Sequence, residues 1–107
     1  MAWVTLCLLD ELTEGQGKYV EVDGFRLAVF RVGTAFSVID STCPHAGGNL
    51  ADGPVEDGCA VCPWHAWAFR LDNGQMQGSP GVAVQKYVSR VHRHEGRAFL
   101  QVELPYP

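Results

Sequence analysis

At 107 residues, 47% of them hydrophobic, the chain is long enough for one domain with a modest core and too apolar to be disordered. Twelve Asp and Glu against eight Lys and Arg give a formal charge of −4 without a basic tract, which argues against nucleic acid and anionic membrane and for partners with basic surfaces. No apolar run nears the ~20 residues of a membrane helix, and the opening MAWVTLCLLDEL has no basic region and soon turns acidic, so it does not read as a signal peptide and the cytoplasm is the expected compartment.

In chain order, residues 3–9 (WVTLCLL) read as a short buried strand, with Cys7 as a packing residue. Asp10-Glu11-Leu12 reads as a turn or a single helical turn, and Gly15-Gln16-Gly17 breaks the chain. Residues 18–22 (KYVEV) and 25–32 (FRLAVFRV) alternate polar with apolar, the half-buried strand pattern, and Asp23-Gly24 between them is a hairpin signal. Gly33-Thr34 makes the next turn and residues 35–39 the next strand, so these three strands are expected to form a meander. Pro44, Gly47, Gly48, Gly53 and Pro54 then forbid long regular structure. Asp57-Gly58 turns the chain into a strand over 59–62, whose alternation puts Cys59 and Cys62 on opposite faces. Residues 67–71 make another strand, Gly78-Ser79-Pro80-Gly81 reads as an irregular loop, and 84–92 with 97–104 form a closing hairpin around Glu95-Gly96. Many short strands at spacings of about 8–12 residues, with no repeat, linker or long helical period, imply an all-β sandwich or barrel.

Four side chains have the chemistry and pairing of metal ligands. Cys43 and His45 form a Cys-x-His pair, and Cys62 and His65 a Cys-x-x-His pair. Two thiolates and two imidazoles suit zinc or an iron–sulfur cluster. Cys-x-His is tight for two ligands of one tetrahedral ion, because paired zinc ligands usually have about two to four residues between them. A binuclear cluster removes the difficulty, since each loop can give its Cys to one iron and its His to the other. The alternative is a zinc-binding or metal-free β interaction module with buried thiols. Cys7 and Cys59 remain as free thiols. Cys59 and Cys62 also spell Cys-x-x-Cys, but Cys62 is better used as a ligand. His92 and His94 read as solvated strand and turn residues. The carboxylates are scattered, no paired acid–base set is visible, and no catalytic residue is expected.

Box one, Cys43-Pro44-His45-Ala46-Gly47-Gly48, and box two, Cys62-Pro63-Trp64-His65-Ala66-Trp67, resemble the Rieske [2Fe–2S] family in ligand type, order and gap. The resemblance covers nearly the whole chain, taken as a single domain over 1–107. It implies a β-sandwich base carrying a small cluster-binding subdomain, roughly residues 43–69, and one [2Fe–2S] cluster held by Cys43, His45, Cys62 and His65. The His-bearing iron would lie outermost, with the second nitrogens of His45 and His65 exposed at the tip as docking points and electron exit. Pro80 would correspond to the family's third covering loop. Neutral imidazoles leave the oxidised core uncharged and the reduced core with one negative charge, which a low-dielectric site holds more cheaply than an all-Cys core.

The departures narrow the reading. Respiratory and photosynthetic members carry an extra Cys in each box, joined as a disulfide; Gly48 and Trp64 stand there, so that bridge cannot form. Ala66 follows His65 where Gly is usual, which bears on how tightly the second loop turns. High-potential members place a Ser two residues and a Tyr four residues after the second His; Trp67 and Phe69 stand here, which implies a low potential. The run Pro-Trp-His-Ala-Trp-Ala-Phe resembles Rieske oxygenases, whose mononuclear-iron domain this length has no room for. Two partner sets remain. One is a flavin reductase and a terminal oxygenase, served by a soluble Rieske ferredoxin, which is preferred. The other is the large subunit of an assimilatory NAD(P)H nitrite reductase, with this chain as its small Rieske subunit. Trp64 and Trp67, which flank His65, either shield the cluster or fill core.

Overall fold

The computed structural model describes residues 2–44 and 47–105, and of Pro80 the backbone alone. The described chain is built from strands joined by tight turns and two short 3-10 turns, Leu9–Glu11 and Leu50–Asp52. The strands are β1 (Ala2–Leu8), β2 (Gly17–Val22), β3 (Phe25–Val32), β4 (Ala35–Asp40), β5 (Val55–Glu56), β6 (Cys59–Val61), β7 (Ala68–Arg70), β8 (Gln75–Met76), β9 (Ser79–Ala83), β10 (Lys86–Tyr87), β11 (Ser89–His94) and β12 (Arg97–Leu104). No helix among the described residues is long and apolar enough to cross a membrane.

Three sheets form in the orders β1-β12-β11, β10-β4-β3-β2 and β5-β6-β7-β8-β9. The hairpins follow from their turn residues. Val22 pairs with Phe25, Glu56 with Cys59 and His94 with Arg97, each across a two-residue loop. In those loops Asp23, Asp57 and Glu95 have φ of 48°, 51° and 50°, and the glycine after each is also left-handed. Two consecutive left-handed residues suit the right-handed twist of the flanking strands, and glycine at the second position carries that conformation without a Cβ penalty.

The second sheet is the middle layer. Leu27, Val29 and Val38 pack on one face with Cys7, Leu100, Val102 and Leu104 of the first sheet. Ala28, Phe30 and Ile39 pack on the other face with Ala60 and Phe69 of the third sheet and with Cys43, Leu50 and Cys62. Residues 27–30 are therefore buried on both faces, where the alternation of 25–32 implies one. Its continuous Leu-Ala-Val-Phe core is the signature of a strand covered on both sides.

Two further elements differ from the sequence-based expectation. Gly78-Ser79-Pro80-Gly81 is expected as an irregular loop, but Ser79–Ala83 is β9, which pairs with β8 across a register shift that absorbs its turn-forming residues. The run 84–92 is divided: Lys86–Tyr87 pairs with β4 in the middle sheet, and only Ser89–His94 forms the hairpin with β12. The third sheet, including the short strands β5 and β8 that composition did not reveal, continues to Ala83.

One close backbone approach joins the first cysteine segment to the second. A Cβ on Gly53, just after the Leu50–Asp52 turn, would overlap the Val61 carbonyl. The Val61 N–H donates to the Pro54 carbonyl at 3.0 Å beside it. Gly53→Ala should therefore destabilise the protein by about 1–3 kcal/mol through overpacking. Gly81→Ala, where a Cβ meets open space, should be nearly neutral. Urea unfolding of both variants checks this, and equal midpoints would contradict it.

Candidate metal centre

Cys43 and Cys62 each open a six-residue loop, and the two loops close by the same hydrogen bonds. In loop one (43–48) the Cys43 N–H donates to the Gly48 carbonyl at 2.9 Å, and the Gly47 N–H donates to the Cys43 carbonyl at 2.9 Å. In loop two (62–67) the Cys62 N–H donates to the Trp67 carbonyl at 2.8 Å, and the Ala66 N–H donates to the Cys62 carbonyl at 3.0 Å. The fifth residue is left-handed in both, Gly47 at φ 75° and Ala66 at φ 59°. Ala66, the departure from the usual Gly, thus keeps the turn tight and carries the strain of a left-handed non-glycine residue.

Each loop stands on a paired base. Thr42 bridges Asn49 beneath loop one, and the Leu50 N–H donates to the Ser41 carbonyl at 2.7 Å. The Asn49 side chain caps the following 3-10 turn by accepting from the Ala51 N–H at 3.0 Å. Beneath loop two, Val61 of β6 pairs with Ala68 of β7.

The loops meet at Gly48. A Cβ there would lie 2.9 Å from the Cys62 Sγ and 3.3 Å from the Trp64 Cγ. Gly48 and Trp64 are the positions of the extra cysteines in the disulfide-bearing members, so the indole packs where that bridge would stand. Cys43 and Cys62 are each 1% exposed and belong to one apolar cluster. His65 is exposed, as are Pro44, Pro63 and Trp64. His45, the fourth expected ligand, lies outside the described residues together with Ala46. Of the two tryptophans, Trp67 packs against the core cluster and Trp64 faces solvent.

The remaining candidates lie elsewhere. Cys7 is buried in the cluster between the first two sheets. The buried Cys59 thiol donates to the Gln77 Oε1 at 3.6 Å, outside the cluster that holds Cys62. Burial is the main cause that raises both thiol pKa values, so neither is an activated nucleophile. His92 and His94 stack at 6.3 Å on β11, exposed and in a different sheet from the loops. A surface pocket of about 520 Å³ between the middle and third sheets is lined by Phe36, Cys59, Arg70 and Lys86 and touches neither loop.

Among the described residues no three Cys, His, Asp or Glu side chains converge on a single ion. A binuclear cluster asks only two protein ligands of each iron. Two thiols buried in one apolar cluster and an exposed imidazole on loop two fit such a cluster, which Cys43, Cys62 and His65 would help to hold.

The chain belongs to the Rieske family: residues 2–89 match the Rieske [2Fe-2S] domain. Its cofactor is accordingly one [2Fe–2S] cluster, and its all-β fold is the Rieske type. It is 30% identical over 102 residues to ferredoxin CarAc of Metapseudomonas resinovorans, covering 94% of both chains. Its fold superposes with a TM-score of 0.85 and 27% identity on a Mycobacterium tuberculosis protein provisionally described as an NADH-dependent nitrite reductase small subunit, over 98% of this chain and 97% of that one. It is also 37% identical over 81 residues, 73% of this chain, to Cholesterol 7-desaturase nvd of Hemicentrotus pulcherrimus, but spans only 17% of that protein's length.

The equivalence of Gly47 and Ala66 has a measurable consequence. Ala66→Gly should stabilise the protein, and Gly47→Ala destabilise it, by about 1 kcal/mol each. For a domain of this size that is about 4–8 °C in the thermal midpoint. Thermal unfolding of both holoproteins is the check; a lower midpoint for Ala66→Gly would contradict the equivalence.

Proposed function

We propose that the chain is a Rieske-type ferredoxin, a cytoplasmic one-electron carrier between a flavin reductase and a terminal oxygenase. In this reading the whole chain is one Rieske domain, with Cys43 and Cys62 as ligands of the inner iron and His45 and His65 as ligands of the outer one. The observation that carries it is the pair of cysteines in one apolar cluster behind the exposed His65 tip. The bound cluster would supply reversible one-electron chemistry. The chain supplies rigidity through the closed loops, dryness on the thiolate side and access on the imidazole side. Bond-making chemistry then belongs to the partners. The match to ferredoxin CarAc along almost its full length supports the carrier role.

The second reading is the small Rieske subunit of an assimilatory NAD(P)H nitrite reductase, favoured by the TM-score of 0.85. Single-turnover experiments separate the two. A ferredoxin takes an electron from an NADH-dependent flavin reductase and passes it to a Rieske oxygenase while the three purify apart. A subunit co-purifies with a nitrite reductase large subunit.

Residues around the thiolates bear on the potential. Phe69, two residues beyond loop two, is fully buried, Trp67 at the end of loop two is half-buried, and neither has a hydroxyl to donate to sulfur. The midpoint should lie in the lower half of the roughly −150 to +300 mV that Rieske centres span. Redox titration decides it, and an upper-half value would contradict the donor role. Cys43→Ser and Cys62→Ser should each lose the cluster, whereas Cys7→Ser and Cys59→Ser should retain full iron and sulfide. A full cluster in Cys43→Ser would overturn the ligand set.

A further inference from the structure

β11 is an edge of the first sheet: it pairs with β12 on one side, and no described strand pairs with its other side. The register shows which backbone groups are left over. His94 and Arg97 close a two-residue hairpin and so exchange both of their backbone bonds. Further along the same alternation, the Glu103 N–H donates to the Val88 carbonyl at 2.9 Å. The bonded positions of β11 are therefore Arg90, His92 and His94, and the N–H and C=O groups of Val91 and Arg93 point away from β12. Every residue from Arg90 to His94 is exposed.

This edge is cationic on an acidic protein. Residues 89–97 hold Arg90, Arg93 and Arg97 against one acid, Glu95, in a chain of net charge −4. Among the described residues none of these three arginines forms an ion pair, whereas Lys18, Arg26, Arg70 and His94 each have one. Two of the three are seated. The Arg90 guanidinium lies 4.0 Å from the Trp3 ring centroid and donates to the Gln101 Oε1 at 2.8 Å, and that of Arg97 lies 5.6 Å from the Phe99 ring centroid. A row of cations on an edge strand keeps other copies of the chain off it, because like charges on facing strands repel. The same row favours a strand of opposite sign. Neighbouring strands lie about 4.8 Å apart, inside the screening length of about 8 Å at physiological salt, so the charges are felt across the pairing.

We propose that β11 receives an extended acidic segment of a partner protein as a fourth strand of the first sheet. Main-chain bonds to Val91 and Arg93 hold the added strand, and acidic side chains beside Arg90, His92 and Arg93 select it. For this edge the expectation from net charge is reversed: the partner is acidic where the chain as a whole favours basic surfaces. The first sheet packs on the face of the middle sheet opposite the one that carries Cys43 and Cys62, so the added strand leaves both cysteine loops uncovered. A partner bound there keeps hold of the domain while the loops remain free. The proposal does not depend on which redox partners the loops serve.

Amide hydrogen exchange of the holoprotein, read by NMR, is the test, with short synthetic peptides that alternate Glu or Lys with Val as probes. The Glu peptide should bind about tenfold or more tighter than the Lys peptide, and at saturation it should slow exchange of the Val91 and Arg93 amides about tenfold or more. Methylating every backbone nitrogen of the Glu peptide keeps its charge, removes its donors and should weaken binding about tenfold. Val91→Pro removes one outward N–H and no bond to β12, and should weaken binding of the unmodified Glu peptide. The peptide comparisons stand even if Val91→Pro fails to fold. Equal binding of the Glu and Lys peptides, binding without protection of Val91 and Arg93, or polyphosphate binding as tightly as the Glu peptide would overturn the proposal. So would protection of the same amides in the peptide-free protein that grows with protein concentration, since a second copy would then occupy the edge.

Discussion

The matched backbone closure of the two cysteine loops is the constraint on which the tip depends. Loop one and loop two come together at Gly48, where an added Cβ would stand 2.9 Å from the Cys62 Sγ. The approach is possible because each loop is closed on itself by a matching pair of backbone bonds at its cysteine. Loop two reaches that geometry with an alanine in the left-handed position that glycine fills in loop one. Conformational strain of about 1 kcal/mol is a modest cost beside the loss of a ligand loop.

The loops are in turn held by the middle sheet. Ala28, Phe30 and Ile39 supply the floor on which Cys43, Leu50 and Cys62 rest, while Leu27, Val29 and Val38 face the first sheet. One strand pair therefore serves two cores. Burial of the cysteines and packing of the sandwich thus share the same two strands. Loop one has a second support in the close approach of Gly53 to the Val61 carbonyl, which ties the exit of loop one to the strand that delivers Cys62.

Much of this architecture was legible in the sequence because glycine marks it. Asp23-Gly24, Asp57-Gly58 and Glu95-Gly96 read as turns, and all three adopt the paired left-handed conformation. The Rieske family was legible in the spacing of the boxes, and Cys59 lies outside the buried cluster that holds Cys62. Sheet membership was not legible. Two-sided burial of residues 27–30 arises from what packs against β3, and a polar Arg at each end gave the run an amphipathic look. The strand Ser79–Ala83 was hidden behind turn-forming residues that the register shift accommodates. Residues 84–92 look like one strand because nothing local marks the step from the middle sheet to the first. Likewise no local pattern separates Trp64 from Trp67: one points out and the other in because loop two turns at Ala66 between them.

The central claim is the proposed ligand set, in which the two loops would hold one cluster with two thiolates on one iron and two imidazoles on the other. Mössbauer spectroscopy of the reduced, isotopically enriched holoprotein tests it most directly, because it reads each iron by its ligands. The account predicts two unlike irons, a ferric site with all-sulfur coordination and a ferrous site with mixed nitrogen and sulfur coordination. Two sites with identical all-sulfur parameters, or a purified protein that carries zinc and no iron, would contradict it.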